Sequence, residues 1–304
     1  KYKFSRRRFE EIEEDLKKAA DSEYAQNYTT CFLQDGDAFV LRTEFLMQIL
    51  EGIHKYLPNI KHVTTYARAD SIARKSVSEL RELKTAGIEH LYCGMETGSD
   101  LILRKINKGF DAATIIISGT KAKEAGMVLS EFTLFGIGGK ELAEENAVET
   151  AKVLNVIKPD FVRVHATGIK LSSEMWNYVK NKELTLQSEE EIVSEQKIML
   201  ELLADDMDCI YMNEHIVNLL LEVRGNIRTD KQNMLETINT YLQLPKQEQE
   251  LFNLGRRLNI MFFLADLNNR AKRKQTEEGL RKIKTQNPDL DLAFVCNYVR
   301  QTQI

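Results

Sequence analysis

The feature that most limits what this chain can become is an alternation over residues 6–170, where short apolar runs rich in β-branched and aromatic residues take turns with longer amphipathic ones. "RRFEEIEEDLKKAA" carries apolar residues at helical spacing with charges between them, and "TTCFLQDG" follows as a strand running into turn residues. "RTEFLMQILEGIHKYL" is helical and "HVTTYARA" a strand. "SVSELRELKTAG" is helical and closes on Gly87, a good position to end a helix. "IEHLYCGME", "MVLSEFTLFGIGG" and "DFVRVHATG" read as further strands, separated by helical "SDLILRKINKG", "AATIIISGTKAKEAG" and "LAEENAVETAKVLNVI". Strands separated by about 10 to 15 helical residues point to right-handed βαβ units and a parallel sheet. The five repeats are too few for a closed eight-fold barrel and suit an open or partial one. Beyond about residue 185 the strand signal stops, and amphipathic helices with one interruption at Pro245 run to the end. The expected organisation is α/β: a partial (β/α) barrel over residues 1–180, then a mostly helical region over 181–304.

Composition narrows the function classes. Formal net charge is -4, so no overall positive field favours a phosphate backbone, and a small-molecule substrate is the expectation over nucleic acid. The basic clusters at Arg6–Arg8 and Arg270–Lys274 read as solvated helix faces. No stretch approaches the roughly 18 to 20 apolar residues of a membrane span, and the first residues lack the apolar core of a secretion signal, so the expected location is cytoplasmic. Cys31, Cys93, Cys209 and Cys296 stand singly, without the spacing of a metal or redox motif, and read as small apolar residues.

Parallel strands present ligand sites at their carboxyl ends. Here those ends are polar one after another: Asp35, Gly36 and Asp37; Tyr66, Arg68 and Asp70; Glu96, Thr97 and Ser99; Gly136, Gly138 and Gly139; Arg163, His165 and Thr167. Each has an ordinary explanation taken alone. "DGD" is also a common turn, Ser99 or Asp100 is also a helix cap, "GIGG" also a loop, and His165 also a satisfied core histidine. Glu96 fits none of these, because a carboxylate at the end of a buried strand needs a partner. As a set, the residues suit a zwitterionic nucleoside. Acids accept hydrogen bonds from an ammonium group, Glu96 can take ribose hydroxyls, a cation among Arg104, Lys105 and Lys108 meets a carboxylate, and the glycines let backbone approach a flat base.

The order "DGD", "GMETGSDLILRKINKG", "FTLFGIGGKE" resembles the radical S-adenosylmethionine superfamily, in particular the branch of oxygen-independent coproporphyrinogen oxidases, methylthiotransferases and Elongator-type domains, over residues 6–175. The resemblance implies a six-stranded partial (β/α) barrel and S-adenosylmethionine as cofactor. It matches Asp35, Gly36 and Asp37 to a Gly-Gly-Glu motif for the methionyl amino group, a departure at two of three positions. It matches Glu96, with Thr97 and Ser99 beside it, to the acid on the ribose or methionyl end, and Lys108 to a base for the methionyl carboxylate. Gly136, Gly138 and the stretch around His165 match segments against adenine, while Tyr66 and Arg68 match a strand end that faces cofactor or substrate.

The family also carries CxxxCxxC, which ligates a [4Fe-4S] cluster, and no such triplet occurs here. The expectation is that the cluster segment and first strand precede Lys1, with a cluster-free nucleoside-binding or partner-docking relative as the alternative. The implied chemistry is reductive cleavage of S-adenosylmethionine to a 5'-deoxyadenosyl radical that abstracts hydrogen from an unidentified substrate. A reductant such as flavodoxin or ferredoxin is the implied partner.

Overall fold

The computed structural model describes residues 5–34, 36–286 and 290–303. Asp35 lies outside the described residues. In chain order the elements are α1 (Phe9–Ala20), β1 (Thr30–Leu33), α2 (Thr43–Tyr56), β2 (His62–Ala67), α3 (Ala69–Ala73), α4 (Val77–Thr85), β3 (Ile88–Glu96), α5 (Asp100–Lys105), α6 (Ala112–Glu124), β4 (Val128–Phe135), α7 (Ala143–Ile157) and β5 (Phe161–Ala166). The chain continues through α8 (Glu174–Lys180), α9 (Glu189–Leu202), β6 (Ile210–Met212), β7 (Gly225–Asn226), α10 (Ile227–Leu242), α11 (Lys246–Arg257), α12 (Arg270–Gln286) and α13 (Leu292–Thr302).

Two compact units divide these elements. The first takes the chain through Met95 together with Ala113–Glu131, and the second takes Glu96–Ala112 with everything from Phe132 onward. Within the first, the strand order is β1-β2-β3-β4, and β2 pairs parallel with both β1 and β3. Alternation sets the two faces of β2: Val63, Thr65 and Ala67 are buried, while His62, Thr64 and Tyr66 are not. The buried residues join Leu46, Leu50 and Ile53 of α2, Ile72 of α3 and Leu80 and Leu83 of α4 in the core of this unit. Helix α4 starts where the sequence supplies a reciprocal cap: Ser76 Oγ accepts from the Glu79 N–H at 3.2 Å, and Glu79 accepts from the Ser76 N–H at 2.7 Å.

In the second unit the order is β4-β5-β6-β7, with β6 parallel to β5 and β7 antiparallel to β6. These last two strands correct the expectation that strands cease after residue 185. They hold three and two residues, too few to show any periodicity in sequence. Helices α7 and α9 supply the buried layer, Ala147, Ala151 and Leu154 with Val193, Met199 and Leu200, on which Val162 and Val164 of β5 close the core. Pro245 stands at the cap position of α11, where its missing N–H costs nothing. Within the stretch expected to be helical after Pro245, residues 260–263 are not: Met261 is buried in an irregular segment, and Leu264–Asn268 forms a short 3-10 turn.

A buried ion triad joins three helices of this unit. Arg257 of α11 meets Glu189 with Nε–Oε1 and Nη2–Oε2 both at 2.8 Å, and Arg300 of α13 adds Nη2–Oε1 at 2.5 Å. Two guanidinium groups hold the Glu189 carboxyl down at about 2 against the effect of its burial. Arg300 also donates to the Thr167 carbonyl at 2.8 Å, and Gln301 accepts from the Leu171 N–H at 3.0 Å, so α13 fixes the loop that follows β5.

Candidate functional site

The sequence-predicted residues fall in both units. In the first, Asp37 sits just past β1, and its carboxylate accepts from the Arg68 N–H at 3.2 Å and the Ser71 hydroxyl at 2.5 Å. It thereby ties the turn after β1 to the start of α3. Burial pushes this carboxyl up, and the two donors oppose the shift. Arg68 caps α3 and directs Nε to Asp70 at 3.0 Å. Gly36 is exposed with open space around it. Tyr66, 42% exposed, belongs to an aromatic row with Phe32, ring centroids 4.8 Å apart, and Tyr92, 6.1 Å away. Register explains the row, because Tyr66 and Tyr92 are directly paired across β2 and β3.

In the second unit, Glu96 ends β3 with φ of 64°, a left-handed conformation uncommon for a residue with a side chain. Its carboxylate meets Lys108 Nζ at 2.6 Å, both side chains being mostly covered at 22% and 16% exposure. This answers why a carboxylate closes an apolar strand: its charge is compensated from a residue beyond α5. Thr97 and Ser99 are fully buried and engaged within the turn. Thr97 Oγ1 accepts from the Ser99 N–H at 3.0 Å, while Ser99 Oγ caps α5 through the Ile102 N–H and donates to Glu145 at 2.9 Å. The cap reading therefore describes the two hydroxyls, and the Lys108 pair describes Glu96.

After β4 the chain reverses with Gly136 at φ of 82°, a region favouring glycine. Gly138 answers to a different need. A Cβ there would lie 2.9 Å from Leu142 and 3.0 Å from Ile102, so glycine is required by packing of the turn on its own helices, where the sequence suggested room for a base. His165 lies on β5 between Phe132, 5.5 Å between centroids, and His215, 4.2 Å away. Burial, then the neighbouring His215 and Arg163 charges, lower His165 to about 4, so its imidazole is neutral at pH 7. The Thr167 hydroxyl, buried just past β5, has no hydrogen-bond partner among the described residues.

Several residues at this end escaped sequence reasoning. Asn146 and Thr150 of α7 and Glu195 of α9 hold the turns after β3 and β4. Gly98 donates to Thr150 Oγ1 at 2.9 Å, and Gly136 donates to Glu195 Oε2 at 3.0 Å. The signal was a carboxylate at position 195 within the stripe Ile192, Gln196, Met199, all buried, where charge has no ordinary place.

No family model matches the sequence. The heme chaperone HemW of Bacillus subtilis (strain 168) is 24% identical over 173 residues, which is 56% of this chain and 45% of that protein. The chain thus spans under half the length of the curated relative it matches. The archaeal Methanocaldococcus infernus Elp3 with an N-terminal deletion superposes with a TM-score of 0.50 at 14% identity, over 70% of this chain and 53% of the other. Coproporphyrinogen III oxidase (HemN) from Escherichia coli, a radical SAM enzyme, gives 0.48 at 13% identity over 64% and 44%. The fold is that of a mixed α/β protein with a mostly parallel sheet of the radical-SAM barrel kind. The fold shared with the Elp3 structure is the kind that the resemblance of the motifs to the radical S-adenosylmethionine superfamily implies.

Among the described residues, those present fit S-adenosylmethionine in part and offer no ligand set for an iron-sulfur cluster. A mostly covered acid and base pair and an orphaned buried hydroxyl suit the charged and polar groups of an adenosyl amino acid. Among the described residues no group of three His, Cys, Asp or Glu could hold a metal ion, and the four cysteines are free. No described helix is long and apolar enough to cross a membrane.

Proposed function

We propose that this chain is the cofactor-binding core of a radical S-adenosylmethionine enzyme that acts on a small molecule. The observation that carries the reading is the Glu96–Lys108 pair at 2.6 Å, held at the carboxyl end of β3 by a left-handed Glu96. A zwitterionic amino acid brings an ammonium and a carboxylate, and the pair offers each a partner of opposite charge. Exchange of one ion pair for two keeps every charge compensated on binding, which an isolated buried acid would not allow. Gly136 and His165, which lie in the same unit, complete the proposed set. A [4Fe-4S] cluster held by ligands outside the described residues would supply one-electron reduction of the sulfonium, with flavodoxin or ferredoxin as its reductant. The chain's own part is to bind, orient and shield the cofactor. The test is titration of the full-length protein with S-adenosylhomocysteine: saturable binding lost in Glu96→Ala supports the reading, and equal binding by the variant overturns the assigned site.

A second reading follows from the relative that is a heme chaperone. His165 and His215, kept neutral by burial and with tilted rings 4.2 Å apart beside Phe132, are the residue type that ligates haem iron. On this reading the protein carries a tetrapyrrole and need not transform it. Addition of hemin should then shift its Soret band in the wild type and not in His165→Ala; no shift in either removes this reading.

A further inference from the structure

The turns that follow β3 and β4 are joined by one buried hydrogen-bond chain whose central group is Glu195. Its Oε2 accepts from the Gly136 N–H at 3.0 Å and from Gln187 Nε2 at 2.8 Å, and its Oε1 accepts from Asn146 Nδ2 at 2.5 Å. Asn146 in turn accepts through Oδ1 from Thr150 Oγ1 at 3.4 Å, and Thr150 accepts from the Gly98 N–H at 2.9 Å. Asn146 Nδ2 also donates to the Leu134 carbonyl at 2.9 Å, inside β4. One carboxylate therefore fixes the backbone on both sides of the proposed cofactor residues, at Gly98 two positions past Glu96 and at Gly136 itself.

All three donors to this carboxylate are neutral, and no ion pair joins it among the described residues. The groups that face it are Asn146 from α7, Gln187 from the segment before α9 and the Gly136 amide from the turn after β4; no charged group contributes to its titration. Burial alone pushes the carboxyl up to about 7, against the three hydrogen bonds. A second feature points to the same group. Gln187 Oε1 is buried without a hydrogen-bond partner among the described residues, while the other end of that amide donates to Glu195. Protonated Glu195 needs an acceptor, and rotation of the Gln187 amide supplies one. That rotation removes one of the three donors, and loss of charge weakens the bond from Gly136.

From this geometry we infer that Glu195 is a positioning residue which sets the two strand-end turns for the adenosyl ligand, and that taking up a proton, with Gln187 as its acceptor, releases them. The inference rests on the cofactor reading above. Ligand affinity then follows the ionised fraction of Glu195, which for a midpoint near 7 rises about tenfold between pH 6 and pH 8.

Calorimetric titration of the full-length protein with S-adenosylhomocysteine at pH 6 and pH 8 tests this, with Glu195→Gln measured beside the wild type so that the ligand's own titration cancels. Affinity rising about tenfold more in the wild type than in the variant is the expected result. An equal change in both overturns the inference and leaves the cofactor reading standing. Absence of wild-type binding at both pH values overturns the cofactor reading and the inference with it. Should Glu195→Gln not fold, the wild-type Gly136 amide resonance decides: a titration step with a midpoint near 7 supports the inference, and a flat profile overturns it.

Discussion

Lys108 Nζ stands 2.6 Å from Glu96 Oε1, across a turn in which Glu96 holds φ of 64°. The pair makes a strained strand end tolerable and leaves one acid and one base facing the same place. Removal of either charge should therefore weaken ligand binding without unfolding the protein. Glu96→Ala and Lys108→Met are each expected to reduce S-adenosylhomocysteine affinity about 10- to 100-fold, the loss of one charge-assisted hydrogen bond of about 1.5 to 3 kcal/mol. Unchanged dissociation constants in calorimetry, with unchanged melting temperatures, would place the site elsewhere.

Glu189 makes the stability of the second unit sensitive to acid. Its carboxyl is held at about 2 by Arg257 and Arg300, below the ordinary 4.5. The folded state thus binds the proton more weakly than the unfolded one, so this contribution is present above about pH 4.5 and is lost as pH falls toward 2. The difference corresponds to something on the order of 3 kcal/mol. Urea midpoints measured from pH 6 to pH 3 should fall more steeply in the wild type than in Glu189→Gln, once each is normalised to its value at pH 6; parallel curves would contradict the assignment.

The same triad predicts the effect of cutting it from the other side. Arg300→Met leaves Glu189 with Arg257 alone, takes the donor from the Thr167 carbonyl, and should cost about 3 to 5 kcal/mol, the range for breaking a buried ion pair. Chemical denaturation reads this directly. A loss below about 1 kcal/mol would mean that water reaches the triad.

Gly98 is the tightest backbone contact at the site. A Cβ at this position would fall 2.2 Å from the Glu149 carbonyl oxygen, so Gly98→Ala forces the turn away from α7. Overpacking of this kind costs about 1 to 3 kcal/mol. The movement also breaks the Gly98–Thr150 hydrogen bond, and ligand affinity should fall together with stability. A destabilised variant with wild-type affinity would show that this turn does not shape the site.

Glu195 gives the opposite pH sign to Glu189. Its folded-state carboxyl is raised to about 7, so the native protein holds a proton that the unfolded chain has released above about pH 4.5. Stability from this group is complete below that value and is lost as pH rises through 7. Melting temperatures of the wild type should drop between pH 6 and pH 8 relative to Glu195→Gln, and superimposable profiles would argue that the carboxyl is hydrated.

Amino-acid order by itself determined the strands β1 to β5 and, α3 apart, the helices between them, because apolar periodicity, capping pairs such as Ser76–Glu79 and terminal glycines such as Gly87 act within a few residues. It also marked Glu96 as a carboxylate in need of a partner. Which cation answers it is a matter of tertiary structure, and so are the strands β6 and β7, too short to carry a pattern. The partners of Glu195 lie 8, 49 and 59 residues away along the chain, and those of Glu189 lie 68 and 111 away. No local propensity encodes such distances. A buried polar group declares its chemistry in the sequence, but the donors that satisfy it are chosen only when the helices carrying them pack and water is excluded.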